Sequence, residues 1–308
     1  LLTCCVVVWY NMQWQYQLLK SFSRLLCRLP YPLVLWLGSA VGFLHWTLGR
    51  SQRRRALAQL QERLGVSRPE AEKIAGRMFR NIGKTLLEIL YIPALAPEKL
   101  ERWVTIENMH YLTEAISQGR GVVILTAHFG NWEWMAARLV QAGLPLAAIA
   151  ETQPGPGLDR LLNEYRELVG LEPYARGNAL VAAMKALKKG HVLGFLADQD
   201  AKANGVFVDF FGCPASTPQG PAVFALRAGA PVTPAFIVRQ AKKGHRILVS
   251  PPIYADGDNV SAVEIERLTR QMTEAMEDRI RRHPEHWWWF QRRWITDPKT
   301  GEANGFKE

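Results

Sequence analysis

The sequence predicts an α/β protein: a mostly parallel sheet with helices on both faces, preceded by N-terminal helices associated with a membrane. Three observations carry this. From about residue 100 onward, short β-branched apolar runs alternate with helical patterns, the signature of strand–helix–strand units. Residues 31–49 form nineteen positions without Asp, Glu, Lys or Arg. The 308 residues are 48% hydrophobic and 21% charged, which supplies a full core and excludes a disordered or collagenous chain.

Taken in order, the chain starts at Leu1 rather than Met, so a start further upstream is expected and the first ten residues count for little. Leu18, Leu19, Phe22, Leu25, Leu26 and Leu29 then recur at helical spacing, with Lys20, Arg24 and Arg28 on another face. This is the pattern of an interfacial amphipathic helix. The uncharged run that follows (YPLVLWLGSAVGFLHWTLG) approaches the ~30 Å of a bilayer's hydrocarbon at ~1.5 Å per residue. Its Gly38, Ser39, Ala40, Gly42 and His45 suit a packed or re-entrant helix nearly as well, and a buried hairpin of two core helices is the alternative. Arg50, Arg53, Arg54 and Arg55 come next, so positive charge flanks the run on both sides and votes only weakly for a cytoplasmic body.

A helical stretch from Arg54 ends at Gly65, and Ser67-Arg68-Pro69-Glu70 opens another in the manner of a capping box. Pro93 and Pro97 then break the chain, which sets the expected division: 1–97 an N-terminal membrane-associated helical region, 98–308 a catalytic α/β domain. In the body, strands are expected at Gly121–Ala127, Leu146–Ala150, His191–Ala197, Pro231–Val238 and Arg246–Ser250. Helices are expected at Asn131–Ala142, Ala179–Lys189, Pro218–Ala228 and from Ala262 to about Arg282.

The 38 basic residues exceed the 28 acidic ones, pointing to an anionic partner without choosing among nucleic acid, phospholipid and phosphorylated lipid. Tryptophan chooses. Trp9, Trp14, Trp36 and Trp46 lie in the first fifty residues and Trp287, Trp288, Trp289 and Trp294 near the end, and indoles favour the membrane interface. Arg281, Arg282, Arg292 and Arg293 around the second cluster suggest a basic aromatic patch for headgroups, unless those indoles pack as core. The apolar N-terminus argues against nucleic acid. Cys4, Cys5, Cys27 and Cys213 have neither metal-ligand spacing nor a secreted disulfide pattern.

Chemistry concentrates at Thr126-Ala127-His128-Phe129-Gly130-Asn131-Trp132-Glu133, where the first body strand ends. Carboxyl ends of strands border the ligand crevice of an open α/β sheet. If Gly130 bends the chain and Asn131 caps the next helix, Glu133 in its first turn folds back toward His128. A carboxylate on Nδ1 would fix the tautomer and leave Nε2 as a general base for a hydroxyl or amine. The same helix N-terminus offers backbone N–H groups to an anion. The bland alternative is a core histidine and a helix-dipole glutamate. No third His or Cys with ligand spacing favours a metal, and no Gly-x-Ser-x-Gly elbow favours a serine hydrolase.

TAHFGNWEW resembles the His-four-residues-acid motif of glycerolipid-type acyltransferases, in the version of the lipid A biosynthesis lauroyl/myristoyl acyltransferases. Arg176-Gly177-Asn178 with MKALKKG, Ala197-Asp198-Gln199-Asp200, VFVDFFG (206–212) with Ser216-Thr217-Pro218, and HPEHWWWFQRRW (283–294) agree with the same branch, over about residues 20–295. The resemblance implies a glycerolipid-acyltransferase-like fold and a bacterial inner-membrane enzyme with its catalytic domain facing the cytoplasm. It implies transfer of a fatty acyl group from an acyl carrier protein (or CoA) thioester to a hydroxyl of a phosphorylated glycolipid, a lipid A precursor, with membrane lipids as further partners. His128 would be the base and Glu133 its orienter. No covalent acyl-enzyme, cofactor or metal is implied, so Cys213 reads as a buried structural thiol. Asn131 is expected to bind substrate, and so are Asp198 and Asp200 at a second strand end, where they position the acceptor or the second catalytic layer, with a polar turn as their alternative. Arg166 and Arg176 are expected to grip a lipid phosphate, with a solvated helix face as the alternative for Arg166. Acylation of a phosphatidylinositol mannoside or lysophospholipid, and a catalytically idle lipid-binding scaffold, are the other readings.

Overall fold

The computed structural model describes residues 2–150, 155–175, 179–241, 244–255 and 260–302. Four helices come first: α1 (Leu2–Leu26), α2 (Tyr31–Leu48), α3 (Arg50–Leu64) and α4 (Arg68–Leu90). Gly65, at φ 69°, closes α3 in the left-handed conformation that glycine adopts at least cost. Ser67 stands at the N-cap of α4 with extended backbone, but its side chain makes no capping bond. The expected capping box is therefore only half realised: Pro69 at the start and Glu70 in the first turn supply the rest of the signal.

The body continues as α5 (Pro97–Trp103), β1 (Val104–Glu107), α6 (His110–Ser117), β2 (Val122–Thr126), α7 (Trp132–Gln141), β3 (Leu146–Ala150), α8 (Pro156–Leu168) and β4 (Glu172–Ala175). It is completed by α9 (Ala179–Lys188), β5 (Val192–Leu196), β6 (Val206–Asp209), β7 (Pro214–Thr217), α10 (Gly220–Ala228), β8 (Val232–Arg239), β9 (His245–Val249) and α11 (Ala262–Arg282). The seven-stranded sheet has the order β1-β9-β8-β2-β5-β3-β4. From β8 to β4 neighbours run parallel, while β9 turns back antiparallel to β8 and carries β1 parallel to itself. β6 and β7 form a separate antiparallel hairpin.

Alternation along β2 explains the layers. Val123 and Leu125 enter one core, with α3, α4, α9, α10 and α11; Val122 and Ile124 enter another, with α1, α2, α5, α6, α7 and α8. Both faces of the sheet are thus covered, which is why its strands read as continuous apolar runs. Helix α4 serves both cores, giving Met78 and Phe79 to the first and Leu87 and Ile89 to the second. Every expected body strand and helix is present within a few residues of its expected bounds. Four short strands went unread, β1, β4, β6 and β7. β4 holds Pro173, tolerable because this strand pairs with β3 alone at the sheet edge.

Helices α2 and α4 touch backbone to backbone. A Cβ added to Gly42 would lie 2.2 Å from the Phe79 carbonyl oxygen, and one on Gly83 would lie 2.1 Å from that of Gly38. Among the described residues α2 is the one helix long and apolar enough to cross a membrane, and only 22% of it is buried. Its outward face carries Leu33, Trp36, Val41, Phe43, Leu44 and Leu48.

The C-terminal aromatic cluster is interior rather than surface. Trp287, Trp289 and Arg293 are fully buried, and Arg293 donates to the Ser216 carbonyl and to Thr217 Oγ1. Arg281 and Arg282 pair with Glu277 and Asp278. The expected headgroup patch there is corrected on that ground: its indoles find hydrogen-bond partners inside the core.

Candidate active site

β2 and β5 are neighbours, and Thr126 at the end of one pairs with Leu196 at the end of the other. Two residues beyond each, His128 and Asp198 emerge side by side. His128 Nδ1 lies 2.8 Å from Asp198 Oδ1. The other oxygen, Oδ2, accepts Trp287 Nε1 at 2.8 Å and Gln291 Nε2 at 3.0 Å. Burial would raise the Asp198 pKa, but the charge and hydrogen bond of His128, with the bonds from Trp287 and Gln291, bring it down to about 2. A buried carboxylate on Nδ1 orients the ring and places the neutral ring's N–H on Nδ1. The imidazole is partly exposed, 5.1 Å from the Trp132 ring and 5.5 Å from that of Trp288, centroid to centroid.

Backbone geometry delivers His128. Gly130 has φ 62°, and a Cβ there would fall 2.0 Å from the Ile237 carbonyl oxygen, so only glycine fits. Its N–H donates to the His286 carbonyl at 3.0 Å, and Phe129 bridges to Trp287. The C-terminal HPEHWWWF segment therefore clamps the loop and also reaches Asp198 through Trp287.

Asn131 begins α7 as expected: its Oδ1 accepts the Trp134 N–H at 3.1 Å. Its amide nitrogen donates to Glu88 Oε2 at 2.9 Å, so both ends of this buried side chain hold structure rather than face a substrate. Glu88 is the residue the sequence reading missed. It is fully buried and gathers a bidentate Arg239 guanidinium, Tyr31 Oη at 2.7 Å and His245 Nε2 at 3.2 Å. Burial would raise its carboxyl, yet the charges of Arg239 and His245 hold it well below the usual range. A signal was present, since Glu88 lies between Leu87 and Ile89 on the buried stretch of an amphipathic helix, where a carboxylate must be paired.

The expected orienter, Glu133, faces another partner. Arg166 grips its carboxylate through Nε, at 3.2 and 3.1 Å to the two oxygens, and through a terminal nitrogen; Trp132 Nε1 adds a bond at 3.2 Å. The Nδ1 partner of His128 is Asp198 because adjacent, in-register strands bring those two together, whereas α7 turns Glu133 toward α8. Arg166, expected on a lipid phosphate, has its charge matched by Glu133. Asp200 accepts the Lys202 N–H at 2.8 Å and Thr296 Oγ1 at 2.6 Å, the polar-turn alternative. Arg176 lies outside the described residues. Cys213 is partly buried, with Arg63 Nη1 2.6 Å from its sulfur.

Among the described residues, His283, Glu285 and His286 hold ligand atoms within 4.8 Å of one another. His286 Nε2, however, accepts the Arg239 backbone N–H at 2.9 Å, so its proton belongs on Nδ1 beside Glu285. A metal on Nδ1 would require an imidazolate, and this group reads as structural.

A histidine held by a buried aspartate at the carboxyl edge of a parallel sheet is an arrangement suited to general acid–base chemistry. The match to known proteins specifies the reaction: the description of bacterial lipid A biosynthesis acyltransferases covers residues 8–296, and the chain belongs to that family. It is an O-acyltransferase. Similar proteins include the phosphatidylinositol mannoside acyltransferase of Mycobacterium tuberculosis, 28% identical over 81% of this chain and 78% of the relative. The lipid A biosynthesis palmitoleoyltransferase of Escherichia coli is 28% identical over 90% of this chain and 89% of its own, and the lauroyltransferase of the same organism 26% over 89% of each.

Proposed function

We propose that this enzyme moves a fatty acyl group from a thioester, carried on acyl carrier protein or CoA, to a sugar hydroxyl of a phosphorylated glycolipid, with His128 as general base. The acceptor hydroxyl gives its proton to Nε2 while its oxygen attacks the thioester carbonyl. The tetrahedral adduct then expels the thiolate, which takes the proton back from the imidazolium. Asp198 keeps the ring in the required tautomer and offsets its transient charge. Glu133 acts through Arg166 and Trp132, shaping the wall beside the base, and no acyl-enzyme forms.

The observation that carries this reading is the His128–Asp198 contact just past two adjacent strand ends in a chain of this family. A phosphorylated glycolipid is the acceptor chemistry common to relatives named for lipid A and for phosphatidylinositol mannoside; the family match favours a lipid A precursor. The test is transfer of a labelled acyl group from each thioester to each purified glycolipid. Turnover unchanged in His128→Ala would overturn the assignment.

We also propose a bacterial inner-membrane location, with the body on the cytoplasmic side. Support comes from the outward apolar face of α2 and from the exposed Trp14, Leu18, Phe22 and Leu25 on α1, where lipid would cover side chains that water now meets.

A further inference from the structure

Beside that face lies a hollow of about 290 Å³ between α2 and α4. Phe43 and Trp46 wall it on α2, while Lys73, Gly76, Arg77 and Arg80 line it from α4. Spacings of three and four put the three cations on one stripe of α4. All three are exposed, and no ion pair holds any of them among the described residues. Glu72, the acid at the rim, is already paired with Arg68 at 2.8 Å, so the lining keeps an excess of positive charge. The Arg80 guanidinium rests 5.8 Å from the Phe43 ring centroid, on the border between apolar and charged surface.

Gly76 is the second, independent sign. Glycine inside a helix costs roughly 1 kcal/mol relative to alanine, and α4 accepts that cost at Gly83 because a Cβ there would strike Gly38. At Gly76 a Cβ would meet nothing within 4 Å. No packing demands glycine at this position. What its missing side chain leaves is the open floor of the hollow.

We infer that the hollow binds the phosphate of an anionic membrane lipid, separately from the acceptor at His128. Lys73, Arg77 and Arg80 hold the phosphate, and the acyl chains run along the outward face of α2 past Leu44 and Leu48. This rests on the reading of α2 as lipid-facing. A soluble acidic protein would match the charge, but it would not cover Phe43, Leu44 and Leu48, which are 52%, 55% and 71% exposed.

The full-length protein, purified in detergent and mixed with vesicles, tests it by flotation. Vesicles of phosphatidylcholine alone are compared with ones containing phosphatidylglycerol. The parent should prefer the anionic vesicles. Arg77→Gln with Arg80→Gln should lose roughly 30-fold of that preference, from about a fivefold effect per charge near an anionic surface. Gly76→Leu, which fills the floor and leaves the charge alone, should lose it at least tenfold. Lys188→Gln with Lys189→Gln, two exposed charges at the end of α9, should change it less than about threefold. All variants should still attach to phosphatidylcholine through α2.

A Gly76→Leu protein that keeps the full preference overturns the site, since charge alone would then explain binding. A parent that binds millimolar inorganic phosphate, lost in Arg77→Gln with Arg80→Gln, yet shows no preference for anionic over phosphatidylcholine vesicles overturns the lipid as the source and assigns free phosphate. Variants that bind both vesicles normally but lose transfer from acyl carrier protein thioester overturn it in favour of a carrier-protein face. Failure of the parent to float even with phosphatidylcholine is a different result: the lipid-facing reading of α2 falls, and the proposal with it.

Discussion

His128 and Asp198 each stand two residues past the end of a strand, and because β2 and β5 pair Thr126 with Leu196, the two side chains meet at 2.8 Å. Sheet register, rather than a local motif, makes this pair. Asp198→Asn keeps the shape but lets an amide present its N–H groups to Nδ1, favouring the wrong tautomer. Acyl transfer should fall about 10²- to 10⁴-fold in kcat, and His128→Ala should abolish it. Single-turnover transfer from a labelled thioester reads both, and a near-normal Asp198→Asn rate would sink the role given to Asp198.

The same contact sets an acid limit. Asp198 sits at about 2, below an ordinary carboxyl, so its charged form contributes stability at every pH above the usual carboxylate value. That contribution fades as pH falls from about 4 toward 2. At ~1.36 kcal/mol per pKa unit it is of order 2 kcal/mol. The stability gap between the parent and Asp198→Asn, measured by urea unfolding at each pH, should therefore narrow over this window. A gap that stays constant down to pH 2 would count against the ionised pair.

Much of this was legible and the reasons for the rest are physical. His128 follows a run of β-branched residues and precedes a glycine turn, all local signals. Asp198 stood out as a second strand-end acid, but β3 and β4 separate β2 from β5 in sequence, and only the strand order shows that they are neighbours. In the sequence, Glu133 is placed beside His128 by the Gly130 bend and the Asn131 cap, both local features. Arg166, one helix further on, decides where its carboxylate turns. The tryptophans at 287 and 289 looked interfacial because indole suits both a membrane surface and a core, and composition does not separate the two.

Glu88 joins four elements through one carboxylate, so its loss is felt widely. Glu88→Gln leaves the buried Arg239 without its counter-charge and should cost about 3 to 5 kcal/mol by denaturant unfolding. Adding Arg239→Met removes the orphaned cation and should recover much of that loss. If the double variant is no more stable than Glu88→Gln, the penalty lies elsewhere, in the lost bonds of Tyr31 and Asn131.

Glu133 and Arg166 should behave as a pair. Glu133→Gln and Arg166→Gln are each expected to lower transfer less than Asp198→Asn does. Because each removes the partner of the other, a double-mutant cycle should give a coupling of about 0.5 to 3 kcal/mol. Independent, additive effects would mean that the bidentate contact contributes nothing to the site.

Gly130 offers the sharpest steric test. At φ 62° any side chain is strained, and a Cβ would stand 2.0 Å from the Ile237 carbonyl oxygen, backbone that β8 holds in the sheet. Gly130→Ala must therefore shift the loop that carries His128, away from the clamp made by the His286 carbonyl. Strain at such a position costs of order 1 to 3 kcal/mol, so the protein should fold with a lowered Tm. Activity should suffer far more than stability, since a displacement of about 1 Å at a catalytic base can cost 10²-fold. Gly143→Ala is the control: its φ is 89°, yet its Cβ would meet nothing within 4 Å. It should lose comparable stability from backbone strain while retaining acyl transfer. Equal losses of activity in the two variants would show that glycine at 130 serves the fold in general rather than the placement of His128.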